Sequence, residues 1–246
     1  MKLYTSLSPG SRLDVERVDV ALVIDVLRAT TVMTTALAKG ASEIVTCLTV
    51  NEAVKLAARD RKNTLLCGER ACQKIDGFDL GNSPAEYSSD RVDGKTLVLT
   101  TTNGTRAIAT AALARAVYAV SFLNLTRTAQ HIRNQKSVLL VCAGTDGYLT
   151  GEDVWLAGAI ADRLTNLNPS VESCDSTAIV INAWRNRFGH RETTDSIART
   201  FRETRGGRNL IRLGFEDDLV RCAAIDSLPI LVQRVSREPS RFTSGG

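Results

Sequence analysis

Leu97-Val98-Leu99-Thr100-Thr101-Thr102-Asn103-Gly104-Thr105-Arg106 begins as a β-branched apolar run and breaks into small polar residues and glycine just before a helical pattern. A strand ending at Thr100, a turn at Asn103-Gly104 and an Ala-rich helix over Thr105–Ala114 would leave free N–H groups and a positive dipole end facing any phosphate. An Asn-Gly pair is also the ordinary chemistry of a turn, so its neighbours must decide the reading.

Working outward, strand-then-helix grammar repeats. Lys2–Leu7 reads as a short edge strand, and Asp19–Ile24 as a buried one that leads through Asp25 into a helix over Arg28–Lys39 stopped by Gly40. Glu43–Leu48 is the next strand, Asn51 the cap of a helix through Lys62, and Asn63–Cys67 a third parallel candidate. A long glycine-rich loop, Gly77-Phe78-Asp79-Leu80-Gly81-Asn82-Ser83-Pro84, follows, and a loop of that length is more often functional than filler. Val117–Ser121, a helix from Asn124 to Gln135, and Val138–Cys142 continue the alternation. Polar residues gather where strands end: Asp25, Glu69, Thr101 with Asn103, Asn124, and Asp146. Open α/β sheets bind ligands there.

After Gly151 helical patterns dominate: Glu152–Leu167, Ser176–Phe188, a charged stretch Glu192–Arg205, a break at Gly206-Gly207, then Asn209–Leu213 and Asp217–Ala224. Leu228–Val232 reads as a returning strand and Ser236–Gly246 as a loose tail. The expected fold is α/β, with a mixed, mainly parallel sheet and flanking helices. It forms a single domain over residues 1–246, with a sub-division near 148 as the alternative.

Bulk properties narrow the function. The 246 residues are 43% hydrophobic, with a net charge of +4 and 5% aromatics, and the basic residues are scattered among acidic ones. That is no nucleic-acid stripe, and no apolar run approaches the roughly 20 residues of a membrane span. Six cysteines without a CxxC pair, and no leader of signal-peptide type, point to a reduced, cytoplasmic protein.

The familiar phosphate-cleaving machineries are absent. None of the six cysteines has an arginine six positions on; Asp25 is followed by Val26-Leu27 rather than by a second aspartate; there is no GxxxxGK[ST] loop; and the only histidines are His131 and His190. What remains is carboxylates, hydroxyls, asparagines and arginines, the set that magnesium and phosphate prefer. Asp25, Glu69, Asp79, Glu152 and Asp153 are candidates for a metal, and Arg28, Arg70, Arg106 and Arg208 for an anion. Each has a plainer counterpart: Asp25 as a helix cap, Glu69-Arg70 as an exposed ion pair, and Glu152-Asp153 as acids favoured by a helix dipole. Cys67 and Cys142 read as buried small hydrophobes.

Seven blocks carry a resemblance: Val23–Thr31, Cys67-Gly68-Glu69-Arg70, Gly77–Pro84, Thr101–Thr105, Ser121-Phe122-Leu123-Asn124, Cys142-Ala143-Gly144 and Gly206-Gly207-Arg208-Asn209-Leu210. In this order the chain resembles the 2-phosphosulfolactate phosphatase family from about Val20 to Pro229. Ala71-Cys72 stands where a glycine is expected, and Thr150-Gly151 where Ser-Leu is expected. The resemblance implies a Mg²⁺-dependent phosphomonoesterase converting (2R)-2-phospho-3-sulfolactate to (2R)-3-sulfolactate and phosphate, on one route to coenzyme M. On that reading Asp25, Arg28, Glu69 and Arg70 are catalytic, and Asp25, Glu69, Asp79 and Asp153 are the metal candidates. Thr102, Asn103, Gly104 and Thr105 cradle phosphate, and Asn82, Asn124 and Arg208 contact substrate. The partner is a small polyanion, and a homo-oligomer is compatible with the sequence. Two alternatives keep the pocket: a phosphotransferase or lyase acting on another small phosphorylated acid, and a non-catalytic anion-binding module.

Overall fold

A computed structural model describes residues 1–8, 17–111, 114–189 and 191–245. Residues 112–113 of the helix expected to end at Ala114, together with His190 and Gly246, lie outside the described residues.

β2 (Val20–Ile24) is the axis of the structure. It is buried along its whole length because it pairs in parallel on both sides, with β7 (Ala116–Val120) and with β8 (Ser137–Cys142). Its alternating side chains serve two layers. Val20, Leu22 and Ile24 pack in a core shared with α6 (Gly151–Leu167) and α7 (Asp175–Phe188), whereas Ala21 and Val23 pack with α1 (Ala29–Ala38). β1 (Lys2–Ser6) pairs with β8, and the two-residue β9 (Glu172–Ser173) forms the edge beyond it. A second parallel group holds β3 (Glu43–Thr46), β6 (Thr96–Thr100) and β4 (Thr64–Arg70), with α2 (Val50–Ala57) packed against it and the short β5 (Gln73–Lys74) turning back along the end of β4.

The two groups are joined by an antiparallel hairpin, β10 (Leu231–Arg237) and β11 (Ser240–Gly245), which completes one eleven-stranded sheet in the order β5-β4-β6-β3-β11-β10-β7-β2-β8-β1-β9. This corrects the reading of Ser236–Gly246 as a loose tail, for Phe242 is fully buried between β3 and β10. The fold class is α/β, with a mixed, mostly parallel sheet. Across three antiparallel steps the groups run in opposite senses, so a flat sheet would hold their carboxyl ends apart. The ends of β2, β4 and β6 nevertheless line one hollow, and β10 carries a bulge between Arg234 and Ser236. α1 is buried on nearly every side. Its threonines are tolerated there because Thr31, Thr34 and Thr35 donate their hydroxyls to backbone carbonyls, Thr34 and Thr35 to those four residues back.

Smaller differences follow the same physics. Thr49, not Asn51, caps α2. α4 begins at Gly104 and ends at Thr110. Gly206 and Gly207 do not interrupt a helix but form the first turn of α9 (Arg205–Arg212), where a Cβ on Gly207 would lie 1.9 Å from the Phe201 carbonyl oxygen. Phe201 ends α8 (Thr194–Phe201), and α10 (Asp217–Cys222) follows α9. Among the described residues no helix is long and apolar enough to cross a membrane.

Candidate active site

The loops after β2, β4, β6 and β8, the last through Thr145 and Asp146, enclose with one face of α9 a hollow of about 400 Å³. Asp25 stands at its base, directly after β2. Asp25 Oδ1 accepts from the Ala29 N–H at 3.1 Å and so caps α1, while the Thr30 hydroxyl donates to the Asp25 carbonyl at 2.8 Å. Oδ2 makes no hydrogen bond with any described residue, and it stays open because position 104 is glycine: a Cβ there would lie 2.8 Å from Oδ2 and 2.6 Å from the Ala29 Cβ. Burial, and then the charges of Glu69 and Glu152, push the Asp25 carboxyl up to about 7, against the opposing Ala29 N–H and Arg28.

Glu69, near the end of β4, faces the same space. Its Oε1 accepts from the Thr102 N–H at 2.8 Å and its Oε2 from the Cys72 N–H at 2.7 Å, so it stitches the β4 and β6 loops together. One N–H of the expected phosphate cradle is therefore already occupied. The donors left over are those of the first turn of α4, which have no partner within the helix. The Thr101 and Thr102 hydroxyls and the Asn82 Oδ1 are buried without partners among the described residues, and all three residues line the hollow.

Arginines form the edge. Arg28 is 2% exposed; its Nη1 lies 2.8 Å from Asp218 Oδ2, its Nη2 donates to the Cys72 carbonyl at 2.9 Å, and its plane lies 4.4 Å from the Phe215 ring centroid. Asp218 is in turn held by the Ser83 hydroxyl at 2.8 Å. Arg70 donates to the Glu69 and Thr100 carbonyls and to the Thr100 hydroxyl. Arg212 and Asn209, from α9, complete the wall.

Not every expected residue is in the hollow. Asp153 is buried with both oxygens engaged, Oδ1 by the Val26 N–H and Oδ2 by the Gly144 N–H, each at 2.9 Å, and burial raises its pKa well above the usual range. It ties the β2 loop to the β8 loop from beneath. Asp79 pairs with Arg61 at 2.8 Å and accepts the Leu66 N–H at 2.7 Å, fastening the long loop to β4. Asn124 is fully buried, accepting from the Ser121 N–H and donating to the Ala119 and Ile230 carbonyls. Arg208 is exposed, donates to the Glu203 carbonyl, and acts on the buried Glu152 by its charge. Thr105 donates to the Thr101 carbonyl. The structure thus brings Asp25, Arg28, Glu69, Arg70, Asn82, Thr102 and Asn103 to the wall, with Gly104 directly behind Asp25. Asp218 and Arg212 carried no motif that sequence reading could isolate, since each sits in a short, generally charged helix.

Among the described residues no three acidic, histidine or cysteine groups form a ready-made metal cage. Mg²⁺ does not require one: it is commonly held by one or two carboxylates, retained waters and substrate phosphate. The open Asp25 Oδ2 fits that donor set, and Glu69 lines the same hollow with each oxygen accepting one N–H and keeping a lone pair.

A buried carboxylate beneath a fixed arginine edge on an α/β sheet is an arrangement that suits a small polyanion. The comparison with known sequences gives the class: residues 7–236 match the 2-phosphosulpholactate phosphatase family. The chain is 40% identical over 218 residues to a probable 2-phosphosulfolactate phosphatase of Thermotoga petrophila, covering 87% of this chain and 90% of that one. It is 41% identical over 215 residues to the protein of that name from Symbiobacterium thermophilum (86% and 89% covered), and 39% identical over 212 residues to that of Caldanaerobacter subterraneus subsp. tengcongensis (85% of each). The chain belongs to the 2-phosphosulfolactate phosphatase family, and with it to the phosphoric monoester hydrolases.

Proposed function

We propose that the protein is a Mg²⁺-dependent phosphatase that hydrolyses (2R)-2-phospho-3-sulfolactate to (2R)-3-sulfolactate and phosphate, in the cytoplasm, as a step toward coenzyme M. The observation that carries this reading is the free Asp25 Oδ2, kept open by Gly104 and facing an arginine-edged hollow. A substrate bearing phosphate, sulfonate and carboxylate carries about four negative charges near neutral pH, so it needs cations on more than one side.

Asp25 and Glu69 would hold Mg²⁺, which supplies charge neutralisation at the phosphate and a more acidic bound water. Arg28 keeps three of its five N–H donors after its bonds to Asp218 and Cys72, and it is locked in place, so it orients an anion without losing side-chain freedom on binding. Arg70 and Arg212 meet the remaining anionic groups. The Thr102 hydroxyl, unpartnered among the described residues, supplies a hydrogen bond that favours a multiply oxygenated substrate over an apolar one, while the Asn82 Oδ1, an acceptor, takes one from a water or hydroxyl in the hollow.

The test is phosphate release from a panel of phosphate monoesters, with Mg²⁺ and with EDTA. The reading predicts release that EDTA abolishes and that is greatest with 2-phospho-3-sulfolactate. Phosphate transfer without free phosphate, or binding without turnover, would overturn it.

A further inference from the structure

A second cavity, of about 920 Å³, lies between the start of α2, one side of α4 and the β10–β11 hairpin, and shares no lining residue with the hollow. Its most unusual wall residue is Arg234. On β10 it stands two places after the fully buried Val232 and opposite the fully buried Phe242, a register position at which an apolar side chain would be ordinary. Arg234 is only 9% exposed, lines the cavity, and its guanidinium makes no hydrogen bond or ion pair with any described residue. A buried cation without a partner is costly, and Arg237, beyond the bulge, adds a like charge to the same wall. Burial and that charge together lower the proton affinity of Arg234.

Lys55 and Arg59 of the α2 region face the cavity as well. Of the two acids in the wall, Glu52 is turned to the helix end, where it accepts the Leu48 N–H at 3.2 Å; the other is Glu238. The remaining wall mixes aliphatic residues, Leu48, Leu56, Ile108, Ala109 and Pro239, with the polar side chains of Thr46, Thr49, Asn51, Thr105 and Ser240.

We propose that this cavity is a second ligand site, taking a small organic anion whose single acidic head, a phosphate, sulfonate or carboxylate, meets Arg234 and Arg237 while its apolar body lies on Leu56 and Ile108. The site is independent of the catalytic reading, because neither its charges nor its walls belong to the hollow.

Titrating the full-length protein with 8-anilinonaphthalene-1-sulfonate, a sulfonate on an aromatic body, tests this by fluorescence. Saturable binding is expected, weakened about ten-fold in Arg234→Met and about three-fold in the exposed Arg237→Gln, which leaves the core intact. Binding of the uncharged N-phenyl-1-naphthylamine should be equal in all three proteins. Asp25→Asn should bind the sulfonate as the wild type does, which separates this site from the hollow. Arg234→Met should also keep or raise the melting temperature, since it removes an unpaired buried charge. Absence of saturable binding, sulfonate binding unaffected by both arginine substitutions, loss of binding in Asp25→Asn, or a melting temperature several degrees lower in Arg234→Met would each overturn the proposal.

Discussion

The hollow at the ends of β2, β4 and β6 and the cavity under the β10–β11 hairpin are mirror images in charge. In the hollow the deeply buried cation, Arg28, has its counter-ion in Asp218, and the group left open is the carboxylate of Asp25. In the cavity the buried group left open is the cation, Arg234. Burying a charge without a partner is tolerated where a ligand of opposite sign completes the set, so the sign of the unpaired group indicates what each space accepts. The hollow asks for a cation that then brings a polyanion; the cavity asks for an anion directly.

The sharpest way to break this contrast is to remove the open carboxylate. Asp25→Asn should lower Mg²⁺-dependent turnover about a thousand-fold, or ~4 kcal/mol in the barrier, without lowering the melting temperature. Near wild-type rates in a phosphate-release assay would remove Asp25 from the site. Next in size is the closed pair. Asp218→Ala leaves Arg28 buried and uncompensated and should cost about 3–5 kcal/mol in denaturant unfolding, far more than an exposed pair would; a loss below 1 kcal/mol would show that Arg28 relaxes to solvent.

A third test uses pH. The Asp25 carboxyl titrates near 7 in the folded chain and near 3.8 when unfolded, so between those values the native state holds more protons. Its contribution to stability is therefore intact below about pH 4 and lost as pH rises through 7. Without metal, this group and the similarly raised Asp153 and Glu152 should make thermal stability decline from pH 5 to pH 8. Mg²⁺ should restore stability at pH 8 and do little at pH 5.5, and a metal effect equal at both values would contradict the assignment. Smallest is Asn124→Ala, which leaves the Ser121 N–H and the Ile230 carbonyl without their partner and should cost about 1–3 kcal/mol of stability, with kcat/KM for phosphate release unchanged.

The elements that sequence reading located well are those whose signal is local. The unbroken apolar run Val20–Ile24, the turn at Asn103-Gly104 and the cluster of polar residues after each strand all report on their own neighbourhood, and from them came Asp25, Glu69 and the α4 loop. The second strand of the hairpin was not legible, because Ser236–Gly245 has Phe242 as its only large apolar residue, and the strand is fixed by pairing with β10 and with β3, the latter almost two hundred residues away in the chain. Pairing likewise decides the fate of the candidate acids. Asp25, Asp79 and Asp153 look alike in sequence, yet the last two lie outside the hollow with both oxygens held by backbone N–H groups and Arg61, whereas Asp25 lines it with Oδ2 open; Glu69 lines it as well, each of its oxygens accepting one N–H. Asp218 and Arg234 were missed for the same reason: what distinguishes them is a partner, or the lack of one, brought by distant strands and helices.

A crystal soaked with Mn²⁺ and 3-sulfolactate, examined for anomalous scattering, tests the central claim most directly. The account predicts a peak at about 2.1–2.2 Å from Asp25 Oδ2 and within direct or water-bridged reach of Glu69, a spacing close to that of Mg²⁺–oxygen bonds. A peak at Asp79 or Asp146 with none beside Asp25 would contradict it.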